Sequence, residues 1–181
     1  MSGAMGERQL YGAIEAGGTK FVCAAGYDAQ RASEVYRAVI PTAAPQPTLE
    51  AVTAFFAGVE REAGPLAGIA VAAFGPVDVM RDSPSWGSLL ATPKPGWSGV
   101  SLVEPLRRFN CPIALDTDVN AAALAEARLG AGRGVRTLAY VTVGTGIGGG
   151  AVIGDRSVSG FLHPQTLDMP RSMRPKRAHE G

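Results

Sequence analysis

The chain has 181 residues, 46% apolar and 18% charged, with a formal net charge of +1. That balance excludes global disorder and supplies core for one domain or somewhat more, while near-neutrality excludes a long-range field that would gather nucleic acid or an anionic membrane. The 24 glycines follow no strict third-residue period, which excludes collagen, and with 13 prolines they belong in turns.

Leu10–Ala16 reads as a strand, Gly17-Gly18 as a turn and Lys20–Tyr27 as a second strand. Glu34–Ile40 completes an antiparallel meander, and Thr42–Pro47 is a Pro/Ala connector. Thr48–Gly64 is predicted as a helix, with Thr48 placed to N-cap it. Its Leu49, Val52, Phe55, Phe56 and Val59 recur at helical spacing, and Gly64-Pro65 stops it. Leu66–Phe74 is a near-continuous apolar run, the mark of a buried central strand. Gly75–Ser98 is a long Pro/Gly/Ser/Trp loop, and loops of that length are usually functional. Leu102–Phe109 reads as a short helix, Pro112–Leu115 as a buried strand and Val119–Leu129 as an Ala/Leu-rich helix ended by Gly130. Thr137–Val143 is a strand, Gly144–Gly150 a turn and Ala151–Ile153 a strand. This order predicts an α/β fold with a mixed sheet and helical crossovers. Strand, Gly-rich turn and strand occur twice, at Ile14–Gly26 and Val141–Gly154, which suggests two related units linked near the helix at Val119–Gly130.

Cys23 and Cys111 have neither metal spacing nor a partner framework and read as buried free thiols suited to a reducing cytosol. Met1–Gln9 lacks the apolar segment of a secretory signal, and no apolar run approaches the ~20 residues of a membrane span. The tail from Asp168, with two prolines and four basic residues as far as Arg177, reads as a disordered end or, less simply, as a basic arm.

Several strings have the composition of a ligand site. Gly17, Gly18, Thr19 and Lys20 offer close backbone approach, a hydroxyl and a positive charge, which suits a phosphate; a plain β-turn would use the same glycines. Five glycines in Gly144–Gly150 exceed what a hairpin needs, so a close ligand explains them better. The dinucleotide fingerprint matches there as a string, but it must open a helix, and a strand is expected. Asp118, in Asp116-Thr117-Asp118-Val119-Asn120, is either a helix N-cap or a general base. Trp86 and Trp97 either stack on a sugar or pin the long loop to the body.

Taken together, Glu15–Lys20, Gly75–Asp78, Trp86-Gly87-Ser88 with Ala91–Trp97, Asp116–Ala123, Thr142–Gly150 and Gly160–Pro164 resemble the ROK family of sugar kinases, bacterial fructokinases above all. The resemblance runs from about Tyr11 to Pro164, and the ordered set is far more specific than any one motif. It implies the actin-like, hexokinase-type ATPase fold: a flexible start over 1–9, a complete N-terminal α/β lobe over 10–118, a partial second lobe over 119–164 and a non-family tail over 165–181. It implies an enzyme transferring the γ-phosphoryl of ATP to a hexose, with fructose giving fructose 6-phosphate, and with Mg²⁺ on the phosphates. Gly17, Gly18, Thr19 and Lys20 match the first phosphate motif, Gly144, Thr145 and Gly146 the second, and Asp118 the catalytic base. Gly75, Pro76, Thr92, Thr117 and His163 match sugar-facing positions. The two glycine bends are expected to face each other across a cleft beside Asp118. The implied partners are sugar and ATP in the cytoplasm, with no nucleic acid and no membrane; full-length relatives are expected to be dimers.

Two departures stand out. After His163-Pro164 the family's Glu is Gln165, its Gly-His pair is Leu167-Asp168, and its zinc-binding cysteines are missing, so the zinc of full-length relatives is not expected here. The family's adenosine-binding glycine motif is also missing. A truncated or frame-shifted product is the leading reading, with an open strand edge and an exposed apolar face in the second unit. The alternative is a non-catalytic sugar-binding relative or regulator.

Overall fold

The computed structural model describes residues 8–27, 36–143 and 147–158. They fall into two units, one ending at Asp118 and the other starting at Val119.

In the first unit, β1 (Leu10–Ala16) alternates strictly between buried and exposed positions. It pairs antiparallel with β2 (Lys20–Gly26), which pairs antiparallel with β3 (Tyr36–Pro41). The chain then forms α1 (Pro45–Ala63) and returns as β4 (Leu66–Ala73), parallel to β1, and later as β5 (Ile113–Thr117), parallel to β4. The sheet order is β3-β2-β1-β4-β5.

Helix α1 starts three residues before the sequence reading put it. Ala44 is the N-cap and Pro45 occupies the first turn, where a missing N–H costs nothing and φ is already helical. Thr48 is therefore inside the helix, not its cap. Its hydroxyl donates to Ala44 O at 2.9 Å and accepts from Ala43 N–H at 3.1 Å. Val52, Phe56 and Val59 form the buried stripe of α1 and meet Ile14, Ile69 and Val71 in the core. Gly12 makes this packing possible: a Cβ there would lie 2.8 Å from Phe56 Cε1. A 3-10 helix at Glu104–Phe109, shorter than expected, adds Leu106 and Phe109, with Phe109 edge-on to Phe56 at 5.9 Å. On the opposite face one cross-strand row is low. Ala24, Ala13, Ala70 and Ala114 stand side by side across β2-β1-β4-β5; Ala13, Ala70 and Ala114 are exposed, and Ala24 is half-buried.

In the second unit, α2 (Asp118–Leu129) precedes β6 (Thr137–Val143), β7 (Ile147–Ile153) and β8 (Arg156–Ser157), an antiparallel sheet in that order. The third strand was not anticipated. The sequence reading also counted Ile147–Gly150 as turn, and the structure makes it strand. The reason for its glycines differs too. A Cβ on Gly150 would lie 2.4 Å from Val119 O, and one on Gly148 would lie 3.0 Å from both Val119 Cγ1 and Thr142 Cγ2. The start of α2 and the neighbouring strand demand small residues there. Buried Asn120 fastens helix to sheet, accepting from Ala151 N–H and donating to Val158 O, both at 3.3 Å. Among the described residues β6 is a sheet edge, and Val141, Val143 and Ile153 are each more than 60% exposed.

Candidate functional site

The parallel strands β1, β4 and β5 end in one cross-strand row. Ala16 is level with Ala73, and Ala73 is level with Thr117. All three residues are buried. At about 4.8 Å per strand the row is about 10 Å long. Ligands of open α/β sheets bind beyond such carboxyl ends. Out of this row come the Gly17–Lys20 bend, the Gly75-Pro76 segment and Asp118.

The bend is closed by Gly17 N–H donating to Lys20 O at 3.0 Å. A Cβ on Gly17 would lie 2.7 Å from that oxygen, so glycine is required for proximity; neither Gly17 nor Gly18 has a positive φ. Thr42 follows β3 and donates twice into the bend, from its hydroxyl to Gly17 O at 2.8 Å and from its N–H to Thr19 O at 2.9 Å. Gly18, Thr19 and Lys20 are exposed, and among the described residues no acceptor meets the N–H of Gly18 or Thr19. The bend thus offers donors and a cation outward, the chemistry of an anion cradle.

Beyond β4, Phe74 N–H holds Ala16 O at 2.8 Å, and the Gly75–Pro76 peptide is cis. The strip from Pro76 to Asp78 pairs with the strip from Ser88 to Leu90, through Leu90 N–H to Pro76 O at 2.8 Å and Asp78 N–H to Ser88 O at 2.9 Å. Gly87 turns the chain at φ +84°, where a Cβ would also lie 2.4 Å from Val103 Cγ2. The carboxylate of Asp78 accepts from the hydroxyls of Ser83 and Ser85 and from Met80 N–H; these bonds, the Ser83 one first, hold its carboxyl below the usual range. Pairing with Pro76 brings the following Thr92 turn to the same end of the sheet. Thr92 is half-buried, its N–H donates to Ser98 Oγ at 3.2 Å, and its hydroxyl accepts from Lys94 N–H at 3.4 Å.

The two tryptophans separate. Trp97 is fully buried between Phe21, at 5.6 Å, and Phe74, at 6.0 Å, and its Nε1–H donates to Ala43 O at 3.0 Å. It pins the loop and presents no face to a sugar. Trp86 is half-buried, with the Arg81 guanidinium 5.7 Å from its ring.

Strand β5 runs into α2 without a loop. Thr117 is buried, its N–H bonded to Asp116 Oδ1 at 2.7 Å, and exposed Asp118 is the first residue of the helix. A carboxylate in the first turn is stabilised by the helix dipole. The sequence reading gave Glu15 and Asp116 no role of their own. The register sets Glu15, Ala72 and Asp116 in one row on one sheet face, a placement that depends on strand order and so is invisible in the sequence. Among the described residues no group of three or more His, Cys, Asp or Glu gathers as a metal site. Mg²⁺ does not need one, since it keeps several waters and takes one or two carboxylates alongside phosphate oxygens.

The structure therefore brings Gly17–Lys20, Gly75, Pro76, Thr92, Thr117 and Asp118 to one end of one sheet. Gly144, Thr145, Gly146, His163, Glu34, the tail from 159 and residues 1–7 lie outside the described residues.

Residues 11–164 match the ROK family. The chain belongs to it. The fructokinase of Zymomonas mobilis is 42% identical over 161 residues, covering 88% of this chain and 53% of that protein. The ROK hexokinase from Thermus thermophilus superposes with a TM-score of 0.70 at 32% identity, over 87% of this chain and 51% of that one. A ROK glucokinase from Streptomyces griseus, solved with glucose and AMPPNP, gives 0.68 at 27% identity, over 87% and 48%. The fold is thus the actin-like ATPase fold of the ROK hexokinases and glucokinases, and this chain spans about half the length of the relatives it matches. Among the described residues no helix is long and apolar enough to cross a membrane.

Proposed function

We propose that this chain carries the sugar- and phosphate-binding part of a cytoplasmic ATP-dependent hexose kinase, with fructose as acceptor and fructose 6-phosphate as product. The observation that carries the reading is the Ala16–Ala73–Thr117 row, from which an anion-cradling bend, the Gly75-Pro76 segment and an exposed carboxylate emerge together. The fructokinase relative favours fructose over other hexoses, and the AMPPNP in the glucokinase relative favours ATP as donor.

Residues 10–118 serve as the N-terminal lobe and 119–164 as the start of the second. Gly17, Gly18, Thr19 and Lys20 hold phosphate oxygens, joined by Gly144, Thr145 and Gly146. Gly75, Pro76, Thr92 and His163 face the sugar, while Thr117, expected to do so from the resemblance, is buried and closes the strand end before Asp118. Glu15 and Asp116 are the carboxylates that would hold hydrated Mg²⁺, which would neutralise charge on the phosphates. Asp118 takes the proton of the attacking hydroxyl as its oxygen bonds to the γ-phosphorus, and the bond to the bridging oxygen breaks to release ADP.

The test compares wild type with Asp118→Asn in fructose-dependent ADP release and in fructose binding by calorimetry. A general base contributes about 10²- to 10⁴-fold. A loss of that size with fructose binding retained is expected. Equal turnover in the variant removes Asp118 as base, and a wild-type chain that neither binds nor phosphorylates fructose overturns the proposal.

A further inference from the structure

We infer that Thr42 is the positioning residue of the phosphate bend, acting through the bend's carbonyl oxygens. The inference rests on the kinase reading and deepens it by naming what sets the cradle's polarity.

An anion cradle has to turn its N–H groups toward the ligand and its carbonyl oxygens away. Glycine does not secure this, because a peptide between two glycines rotates easily either way. In this bend three carbonyl oxygens are taken up inside the protein. Lys20 O accepts from Gly17 N–H, Gly17 O from the Thr42 hydroxyl and Thr19 O from the Thr42 N–H. A trans peptide unit is planar, with its C=O and N–H on opposite sides. Fixing Gly17 O on Thr42 therefore fixes the Gly18 N–H on the far side of the same plane, away from Thr42. One threonine, well outside the glycine motif, decides which way the Gly17–Gly18 peptide faces.

Thr42 is suited to this because the chain around it is held on several sides. The N–H of Ala43 is shared between Pro41 O at 3.0 Å and the Thr48 hydroxyl at 3.1 Å, which ties it to α1. Ala43 O accepts from the buried Trp97 at 3.0 Å, which ties it to the Thr92–Ser98 turn. The residue that orients the phosphate bend is thus next in sequence to the residue that anchors the sugar-side turn. Removing the Thr42 hydroxyl alone leaves this framework and the Thr42 N–H bond in place.

The experiment uses the whole chain. MgATP and, separately, inorganic tripolyphosphate are titrated into wild type, Thr42→Val and Thr42→Ser while the Gly18 amide resonance is followed; fructose is titrated in parallel. Thr42→Val, close to isosteric, is expected to weaken both phosphate ligands about tenfold, the size of one hydrogen bond, and to shift the free-state Gly18 resonance. Fructose affinity should stay unchanged, and Thr42→Ser should restore phosphate binding. A valine variant that binds both phosphate ligands like wild type overturns the inference and leaves the kinase reading intact. Equal weakening of fructose and phosphate overturns it too, since that is general loosening. A wild-type chain that binds neither phosphate ligand removes the kinase reading and this inference together.

Discussion

Replacing Trp97 with alanine separates its two possible uses. The ring is fully buried, contacts Phe21 and Phe74 at 5.6 and 6.0 Å, and donates to Ala43 O. Truncating a buried aromatic costs about 3–5 kcal/mol, with the lost ring pairs included. The lost hydrogen bond adds little, because Ala43 is exposed and water can reach its carbonyl. Against a total stability of about 5–15 kcal/mol, the variant should fold but lose a large share of its margin. At about 4 °C per kcal/mol, the melting midpoint of the first unit should drop by about 12 °C or more. Trp97→Phe keeps a ring in place and should lose about 1–2 kcal/mol. Urea unfolding followed by far-UV circular dichroism measures both. The chain has only two tryptophans, so residual fluorescence in either variant reports the half-buried Trp86 and checks that its surroundings are intact. A loss under about 1 kcal/mol in Trp97→Ala, with fructose binding abolished, would refute the pin and make the ring a sugar platform.

The remaining predictions concern packing and ionisation. Gly150→Ala should cost about 1–3 kcal/mol, because its Cβ would meet the Val119 carbonyl at 2.4 Å and backbone cannot yield cheaply; Gly149→Ala, with its nearest atom 4.0 Å away, is the control. The pair is read by chemical denaturation. Asp78 has a folded-state pKa below its ordinary 3.8, so it stabilises the chain above that value and the stabilisation is lost as pH falls through the lowered one. Asp78→Asn should flatten stability against pH below about 4 in acid titrations. Burial pushes the Cys23 thiol up to about 12 from 9.0, so its contribution is complete below pH 9 and fades toward pH 12. Iodoacetamide at pH 8, read by mass spectrometry, should label Cys23 only after unfolding.

What the sequence made legible was what is local. The Leu10–Ala16 alternation and the Val52-Phe56-Val59 stripe gave their elements because burial periodicity is written residue by residue. The sequence puts the start of α1 too late because Thr48 looks like a cap, while Pro45 marks the first turn by an absent N–H. That the glycines at 148 and 150 also make room for Val119 is hidden in the sequence, because the chain does not announce how close Val119 comes. For the site, the motif strings put Gly17–Lys20, Gly75-Pro76 and Asp118 on the page. Their common sheet edge depends on strand order, which pairs β1 with β4 across more than forty intervening residues. Thr42 had no signal at all: it lies in a bland Pro-Thr-Ala-Ala-Pro stretch, and its importance comes from two carbonyls more than twenty positions away.

The row of four methyl groups at 24, 13, 70 and 114 bears on how this part of the sheet meets water. A valine or leucine left wet forfeits about 1.5–3 kcal/mol of burial, against about 0.8 kcal/mol for a single CH₂-sized group. A floor four strands wide and one carbon tall therefore stays hydrated at small expense, where branched side chains in the same squares would have made it adhesive.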